Sequence, residues 1–495
     1  MDRSRLIALL AGVAFAMSGA ALPARGGSPS FHTPVRNVSN TAQLAEGEET
    51  VAINPTDPRN IIVGSNQWQA LDQRNSTNFS LGASGTTMCA RWASQDGGRT
   101  WSGGAVEESG LGTTANPLPD PTGTVPSEFV DPGNLISGDQ NTVFDREGNA
   151  YYDCIDFGVG TGDAVIPVYR SSDGGRHWSK PVIAFSERDT GIQVDRPWLA
   201  IDNTGGPRDG TLYLTWETMF YQPYNPAVYG RTSTDGGRTW GPVVRVDDAA
   251  HEAMWDPRQF PVVGADGTLY VMYDASPFHT PSWDECCSGR DPSIALAISR
   301  DGGATFTRTI VQDVTHPPAP PDEAEPYFTE FIPAIAADTR RAGRVAVAWP
   351  EVVKGESRIL LRTSRDGGET WTKPIDVNDD PRGKGNQHDH VTMTYLPDGR
   401  LAVVWRDRRA NGGQWSAPWQ ILARTVAAGR RGSLRLGSVV EVTGAAQLPT
   451  TGHRGSMPSE YIGVTATKGG LWVSWDQMNG TYPDNMLRFV PVSAL

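Results

Sequence analysis

The sequence predicts an all-β chain closed into a β-propeller of seven blades, or six if one hairpin belongs to an inserted element. Three observations carry this. An octet of the form Ser-x-Asp-Gly-Gly-x-x-aromatic recurs five times, and a strand–turn–strand unit recurs seven times. The composition is that of strands and turns, with 55 Gly, 37 Pro, 16 Trp and only 20% charged residues in 495. Gly and Pro punctuate turns, while aromatic and β-branched residues suit a pleated, half-buried surface. Outside the first 25 residues no long run has helical periodicity.

The octets are "SQDGGRTW", "SSDGGRHW", "STDGGRTW", "SRDGGATF" and "SRDGGETW", with aspartates at 96, 173, 235, 301 and 366. The spacings of 77, 62, 66 and 65 residues suit a blade of about four strands with its loops. Folding alone explains each part of the octet. Adjacent glycines allow a tight reversal. The Asp carboxylate accepts amide hydrogens within its own turn, and the Ser hydroxyl adds another bond. The aromatic buries a large ring between neighbouring sheets.

The second repeat is an apolar strand, a Gly turn and another apolar strand, usually ending in an aromatic. Its turns and second strands read "DREGNAYYDC", "GPRDGTLYLTW", "GADGTLYVMY", "RRAGRVAVAW", "LPDGRLAVVW" and "TKGGLWVSW", with an earlier copy in "NPTDPRNIIVGSNQW". Their alternation is that of β-strands. Seven hairpins begin near Thr50, Asn141, Pro197, Gln259, Ile332, Val391 and Ile462. Repeated antiparallel sheets close naturally into a propeller, which leaves only short edges. Residues 107–137, 278–292 and 316–326 read as long loops, rich in Gly and Pro.

The first segment differs. Arg3 and Arg5 precede an apolar run from Leu6 to about Leu22, and small residues follow. This reads as a secretory signal peptide over 1–25, ahead of one propeller domain over 26–495; a retained anchor is the alternative reading. The expected location is therefore outside the cell or in the periplasm. A net charge of −13 argues against nucleic acid and anionic membranes as partners. Four cysteines suit an oxidising compartment: Cys89 and Cys154 could pair, while Cys286 and Cys287 are adjacent, and three connectivities remain open.

Residues that open the inner strands of a propeller converge on its axis. The seven entries read "GEET", "GDQN", "VDRP", "DPRQF", "FTEF", "QHDH" and "SEYI". Ionisable residues in register predict a polar pocket holding Glu48 or Glu49, Asp139, Asp195, Arg196, Asp256, Arg258, Glu330, His388, Asp389, His390, Glu460 and Tyr461. Carboxylates whose environments differ can divide into an acid and a base, and Asp139 and Asp195 are candidates for that work. Arg196 and Arg258 offer planar forks for a substrate carboxylate, and His388, His390 and Glu460 complete the candidate binding set. "WRDRR" (405–409) reads as a solvated loop or structural ion pairs. No cofactor is expected. The His388-Asp389-His390 segment could offer ligands to a divalent cation such as Ca²⁺, but no second spaced ligand motif accompanies it.

The five octets resemble the Asp-box, or bacterial neuraminidase repeat, of the sialidase superfamily, and the repeat pattern extends over roughly residues 45–492. The resemblance implies a propeller with the boxes at its periphery and a catalytic pocket on its axis. In that family a Tyr nucleophile is activated by Glu, an Asp serves as acid/base and three arginines hold the substrate carboxylate. By resemblance Tyr461 takes the nucleophile's place, Glu330 its partner's, and Arg196 and Arg258 two places of the triad. The chain departs from the pattern elsewhere. The early Phe/Tyr-Arg-Ile/Leu-Pro motif is absent, with "VDRPW" a loose relative, and the sixth entry has "HDH" where a third arginine would stand. Arg454 is a substitute, and Glu460-Tyr461 replaces Tyr-Ser. The function expected is a secreted glycoside hydrolase acting on carbohydrate. A polysaccharide lyase using His and Tyr, or a non-catalytic glycan- or protein-binding propeller, are the alternatives on the same scaffold.

Overall fold

The computed structural model describes residues 33–40, 44–69, 87–105, 112–113, 116–117, 136–157, 164–190, 192, 194–218, 227–248, 250, 253, 258–275, 292–316, 318, 331–411, 413, 418–429, 433–444, 461–479 and 482–495. Among these residues are seven four-stranded antiparallel sheets, so the blade number is seven rather than six. Their inner strands are Leu44–Ile53, Ile136–Phe144, Asp195–Ile201, Phe260–Val263, Ala334–Ala337, His388–Tyr395 and Gly463–Thr467, which define blades 1 to 7. Each packs on the next and the last packs on the first, closing the ring. The apolar core lies between blades: Trp216 is buried with Phe185 across the blade 2–blade 3 seam, and Trp405 with Ala346 and Leu361 across the blade 5–blade 6 seam. No helix among the described residues is long and apolar enough to cross a membrane.

Blade 7 is completed from the other end of the chain. Its fourth strand is Arg36–Asn37, paired with Tyr482–Pro491. The sequence analysis assigned no strand there, because two residues carry no periodicity of their own. Thr33 and Ser39 add bonds from the same segment, to Phe489 O and to Glu46 Oε2 (2.9 Å).

The octets form the turns expected of them. Both glycines of every octet have φ between 73° and 91°, a region that disfavours side chains. In the third, Ser233 Oγ accepts from Gly237 N–H at 2.9 Å, and Asp235 Oδ1 accepts from Arg238 and Thr239 N–H at 3.0 and 2.9 Å. The Thr305 and Thr370 hydroxyls, aided by backbone amides, hold Asp301 and Asp366 down at about 2 from an ordinary 3.8. A depressed folded-state pKa stabilises above the unfolded value, and the contribution is lost as pH falls from about 4 towards 2. The thermal midpoint should therefore drop across that window, and Asp301→Asn should flatten the drop. Calorimetry at stepped pH checks both.

A second device, missed in the sequence, stitches successive blades. Arg231, Arg424 and Arg488 each donate to a carbonyl of the preceding blade's outer edge: Ala184 at 2.5 Å, and Val377 and Val442 at 2.7 Å. Arg362 does the same to Val311. Blade 4 has Ala297 at the equivalent position, and Arg308, its direct cross-strand partner, reaches Val246 O at 2.7 Å instead. These stitches cover five of the seven seams. At the blade 7–blade 1 seam the strand at 36–37 and its flanking bonds tie the chain's two ends together. The blade 1–blade 2 seam carries the Cys89–Cys154 disulfide, beside Arg91 caged by Tyr152, Tyr169 and Trp178 at 4.9, 5.0 and 4.3 Å from the ring centres. This selects one pairing for those two cysteines; Cys286 and Cys287 lie outside the described residues. With its ends 65 positions apart in the sequence, the bridge should contribute about 4 kcal/mol by loop-closure entropy. Chemical denaturation with and without reductant should show a loss of that order, and Cys89→Ser should reproduce it.

Candidate functional site

The inner strands do not enter the axis smoothly. Bulges interrupt the ladders between Gly47 and Thr50, Gly138 and Asn141, Asp195 and Trp198, and Asp389 and Thr392. In each bulge sits one non-glycine residue in the left-handed region: Glu48 (φ 64°), Asp139 (55°), Arg196 (45°) and His390 (47°). Arg258 (46°) holds the same place in blade 4, two residues before Phe260. Such backbone costs on the order of 1–3 kcal/mol per residue and persists only where the surroundings impose it. Five of the residues singled out at the hairpin entries thus share one backbone device, which re-aims a side chain at a strand start.

Two residues further along, Thr50, Asn141, Trp198, Phe260 and Thr392 form one layer of an axial cavity of about 380 Å³. Blades 3 and 4 make this layer aromatic, whereas blades 1, 2 and 6 make it polar. Tyr461 enters from blade 7 and crosses the axis, its ring 5.5 Å from Trp198 and 6.3 Å from Phe260, edge to face. Its hydroxyl accepts from Arg196 Nη1 at 3.4 Å. Arg196 Nε lies 3.5 Å from Glu217 Oε1, a carboxylate with no exposed side-chain surface. Asp195 stands directly opposite Glu217 in the ladder. A guanidinium fixed beside a phenol oxygen favours negative charge developing there.

Gln259 joins these parts across the seam. Its Nε2 donates to Arg196 O at 2.5 Å, its N–H to Glu217 Oε2 at 3.4 Å, and its Oε1 accepts from the Thr215 hydroxyl. Blade 2 repeats the clasp: Gln140 Nε2 donates to Glu48 O at 2.7 Å, while Asn66 bonds both Glu48 Oε2 (2.5 Å) and Asp139 N–H (3.0 Å). Gln259→Leu removes the donor to Arg196 O and the acceptor of a buried hydroxyl, so a loss of about 1–3 kcal/mol is expected. Urea titration of that variant measures it.

The "QHDH" entry divides. His390 lines the cavity, and burial, with Arg406 adding to it, pushes its imidazole down to about 4. Asp389 lies behind, accepting from Arg406 Nε and Nη2 at 2.6 and 2.9 Å and from Arg408 Nη1 at 2.8 Å. Burial pushes this carboxyl up, but the two guanidiniums outweigh it and hold it well below its usual range. His388 is not in the cavity lining. It is fully buried between Asp407 (2.9 Å) and Asp380 (3.4 Å), which hold it above its ordinary value against the effect of burial. The "WRDRR" residues are structural ion pairs: Arg406 and Arg408 on Asp389, and Arg409 on Asp407 at 2.7 Å. Among the described residues no group of three or more His, Cys, Asp or Glu is arranged to hold a metal ion.

Arg258 is buried and donates to Phe331 O at 3.2 Å across the next seam. Glu330, Glu460, Asp256 and Arg454 lie outside the described residues, as do residues 1–32. Sequence reasoning missed Glu217. Its signal is an acid directly after the aromatic that closes a second strand, as in "LTWE"; Asp153, Asp274 and Asp476 repeat it, all buried.

Seven blades with Asp-box turns outside and an axial cavity lined by Trp198, Phe260 and Tyr461, the last bonded to Arg196, define a propeller of the sialidase-like BNR superfamily. The family model of the BNR repeat-like domain matches residues 157–439, and the chain belongs to that family. It is 26% identical over 347 residues to a sialidase of Micromonospora viridifaciens, covering 66% of this chain and 46% of that protein. It is also 26% identical over 245 residues to a xyloglucanase of a Paenibacillus species, covering 46% of this chain and 20% of the other. The chain thus spans less than half the length of these relatives. Among solved structures, a protein of unknown function from Dyadobacter fermentans superposes with a TM-score of 0.45 at 14% identity, covering 92% of this chain and 98% of that one.

Proposed function

We propose that this protein is a glycan-acting hydrolase of sialidase-like type, exported from the cell, with its site at the starting ends of the inner strands. The observation that carries the reading is the meeting of Tyr461, Arg196 and buried Glu217 beside Trp198 and Phe260. Aromatic rings offer stacking faces for sugar, and Arg196 and Arg258 offer charge for an acidic group. In this reading Tyr461 is the nucleophile, Glu330 its activating partner, and Asp139 and Asp195 the candidates for the acid/base. His390 and Glu460 border the substrate. His388, also read as a substrate contact in the sequence, acts here as a support for the strand that carries His390. The relatives that bear the names sialidase and xyloglucanase support a carbohydrate substrate. The disulfide between Cys89 and Cys154 supports export to an oxidising compartment.

The test is incubation of the full chain with sialylated, arabinose-bearing, xyloglucan and uronate-containing glycans. New reducing ends without an unsaturated uronate chromophore are expected. The chromophore would make the protein a lyase, and glycan binding with no product from any bound ligand would make it a lectin-like propeller.

A further inference from the structure

In two blades the left-handed residue at the entry is served from the second strand of the same blade. In blade 3 the ladder sets Trp198 opposite Thr215, and Glu217, two residues further on, lies 3.5 Å from Arg196. In blade 1 it sets Thr50 opposite Gly64, and Asn66, again two further on, donates to Glu48 Oε2 at 2.5 Å. Blade 2 breaks the pattern. Asn141 faces Asp153 there, and the residue two further on is Ile155, whose side chain has no polar atom. Asp139 is served from blade 1 instead: its N–H donates to Asn66 Oδ1 at 3.0 Å. One buried amide, on a residue 4% exposed, thus holds the entries of two blades, while Glu48 and Asp139 themselves are half-buried.

The peptide group between Gly138 and Asp139 is held from both sides. Its N–H goes to Asn66, and its carbonyl oxygen lies 3.4 Å from Cys89 Sγ. Asn66 and Cys89 stand directly opposite each other in the blade 1 ladder. Cys89 is fixed in turn by its bridge to Cys154, on the second strand of blade 2. Gly138 suits this approach, because a Cβ there would lie 3.1 Å from Asn66 Nδ2 and 3.4 Å from its Oδ1.

We propose that Asn66, backed by the Cys89–Cys154 bridge, is a positioning residue that sets the Glu48 and Asp139 carboxylates as a pair at the mouth of the axial site. A carboxamide suits the task, since it accepts at one atom and donates at the next, whereas a carboxylate only accepts. The blade 2 ladder is interrupted between Gly138 and Asn141, so the Asn66 bond replaces regular pairing at Asp139. A non-glycine residue keeps φ at 55° only where its surroundings impose it, and Asn66 is the neighbour that does so. What the two carboxylates do there rests on the hydrolase reading, in which Asp139 is a candidate acid/base; the clamp itself stands on geometry.

The experiment compares crystal structures of the full chain, of Asn66→Ala and of Asn66→Asp, with initial rates on the glycan that the wild type cleaves. In Asn66→Ala, Asp139 should leave the left-handed region and Glu48 should turn away. There kcat should fall about 10²-fold while KM changes by less than about threefold, the mark of misplaced groups rather than lost binding. Asn66→Asp keeps the acceptor for Asp139 N–H, so Asp139 should stay in place and Glu48 alone should move. Glu48 and Asp139 unmoved in Asn66→Ala would overturn the clamp. Both moved with kcat unchanged would overturn their part in catalysis. A wild type that cleaves no glycan would defeat the hydrolase reading instead, and the crystal structures would still decide the clamp. If Asn66→Ala does not fold, Asn66→Asp decides: Glu48 unmoved there overturns the proposal.

Discussion

Asp389→Ala is expected to destabilise the protein by about 3–5 kcal/mol, the range for removing one partner of a buried ion pair. The position is severe because the carboxylate receives three hydrogen bonds from Arg406 and Arg408, whose side chains are 2% and 0% exposed. Truncation leaves two guanidiniums buried without that counter-charge. Arg406 also lies 5.6 Å from the centre of the Trp419 ring, so its movement would disturb the packing of blade 6. Asp398→Ala, whose carboxylate is half exposed and pairs with Arg400 at 2.8 Å, should cost less than about 1 kcal/mol. Guanidinium denaturation of the two variants side by side separates the cases.

The second large effect concerns activity. Tyr461→Phe keeps the ring against Trp198 and Phe260 and removes only the oxygen that Arg196 holds at 3.4 Å. Folding should be nearly unchanged. If the phenol oxygen attacks the glycan or exchanges its proton, kcat/KM for the cleaved glycoside should fall about 10²–10⁴-fold, the usual scale for losing such a group. Arg196→Lys should lose activity too, for a different reason: the ammonium cannot reach both Tyr461 and Glu217 with the fixed fork that Arg supplies. Initial rates with purified variants, alongside their circular dichroism, measure both.

Much of the architecture was legible because its signals are repeated. Glycine turns and alternating strands placed all seven hairpin starts within two residues of an observed inner strand. The octets then fixed the blade order. What escaped was non-repeated or depended on the third dimension. The strand at 36–37 has no pattern of its own and is created by pairing with Tyr482–Pro491. The blade-stitching arginines stand two residues before the octet serine in "GRTS" and "LRTS", a visible position whose partner carbonyls belong to another blade. At the entries, residue type was readable but direction was not. His388 and His390 are two apart, yet the left-handed bulge at His390 sends one to the axis and leaves the other between Asp380 and Asp407. Glu217 escaped because it follows an aromatic already assigned to the strand's end.

The most direct test of the account is a crystal structure of the full chain soaked with a sugar product of the proposed hydrolysis. The account predicts a sugar ring at the starting ends of the inner strands, hydrogen-bonded to Tyr461 or Arg196 and stacked near Trp198 or Phe260. A sugar bound over the Asp-box turns, or in the outer groove beside Arg91 and Trp178 with the axial site empty at saturating product, would contradict it.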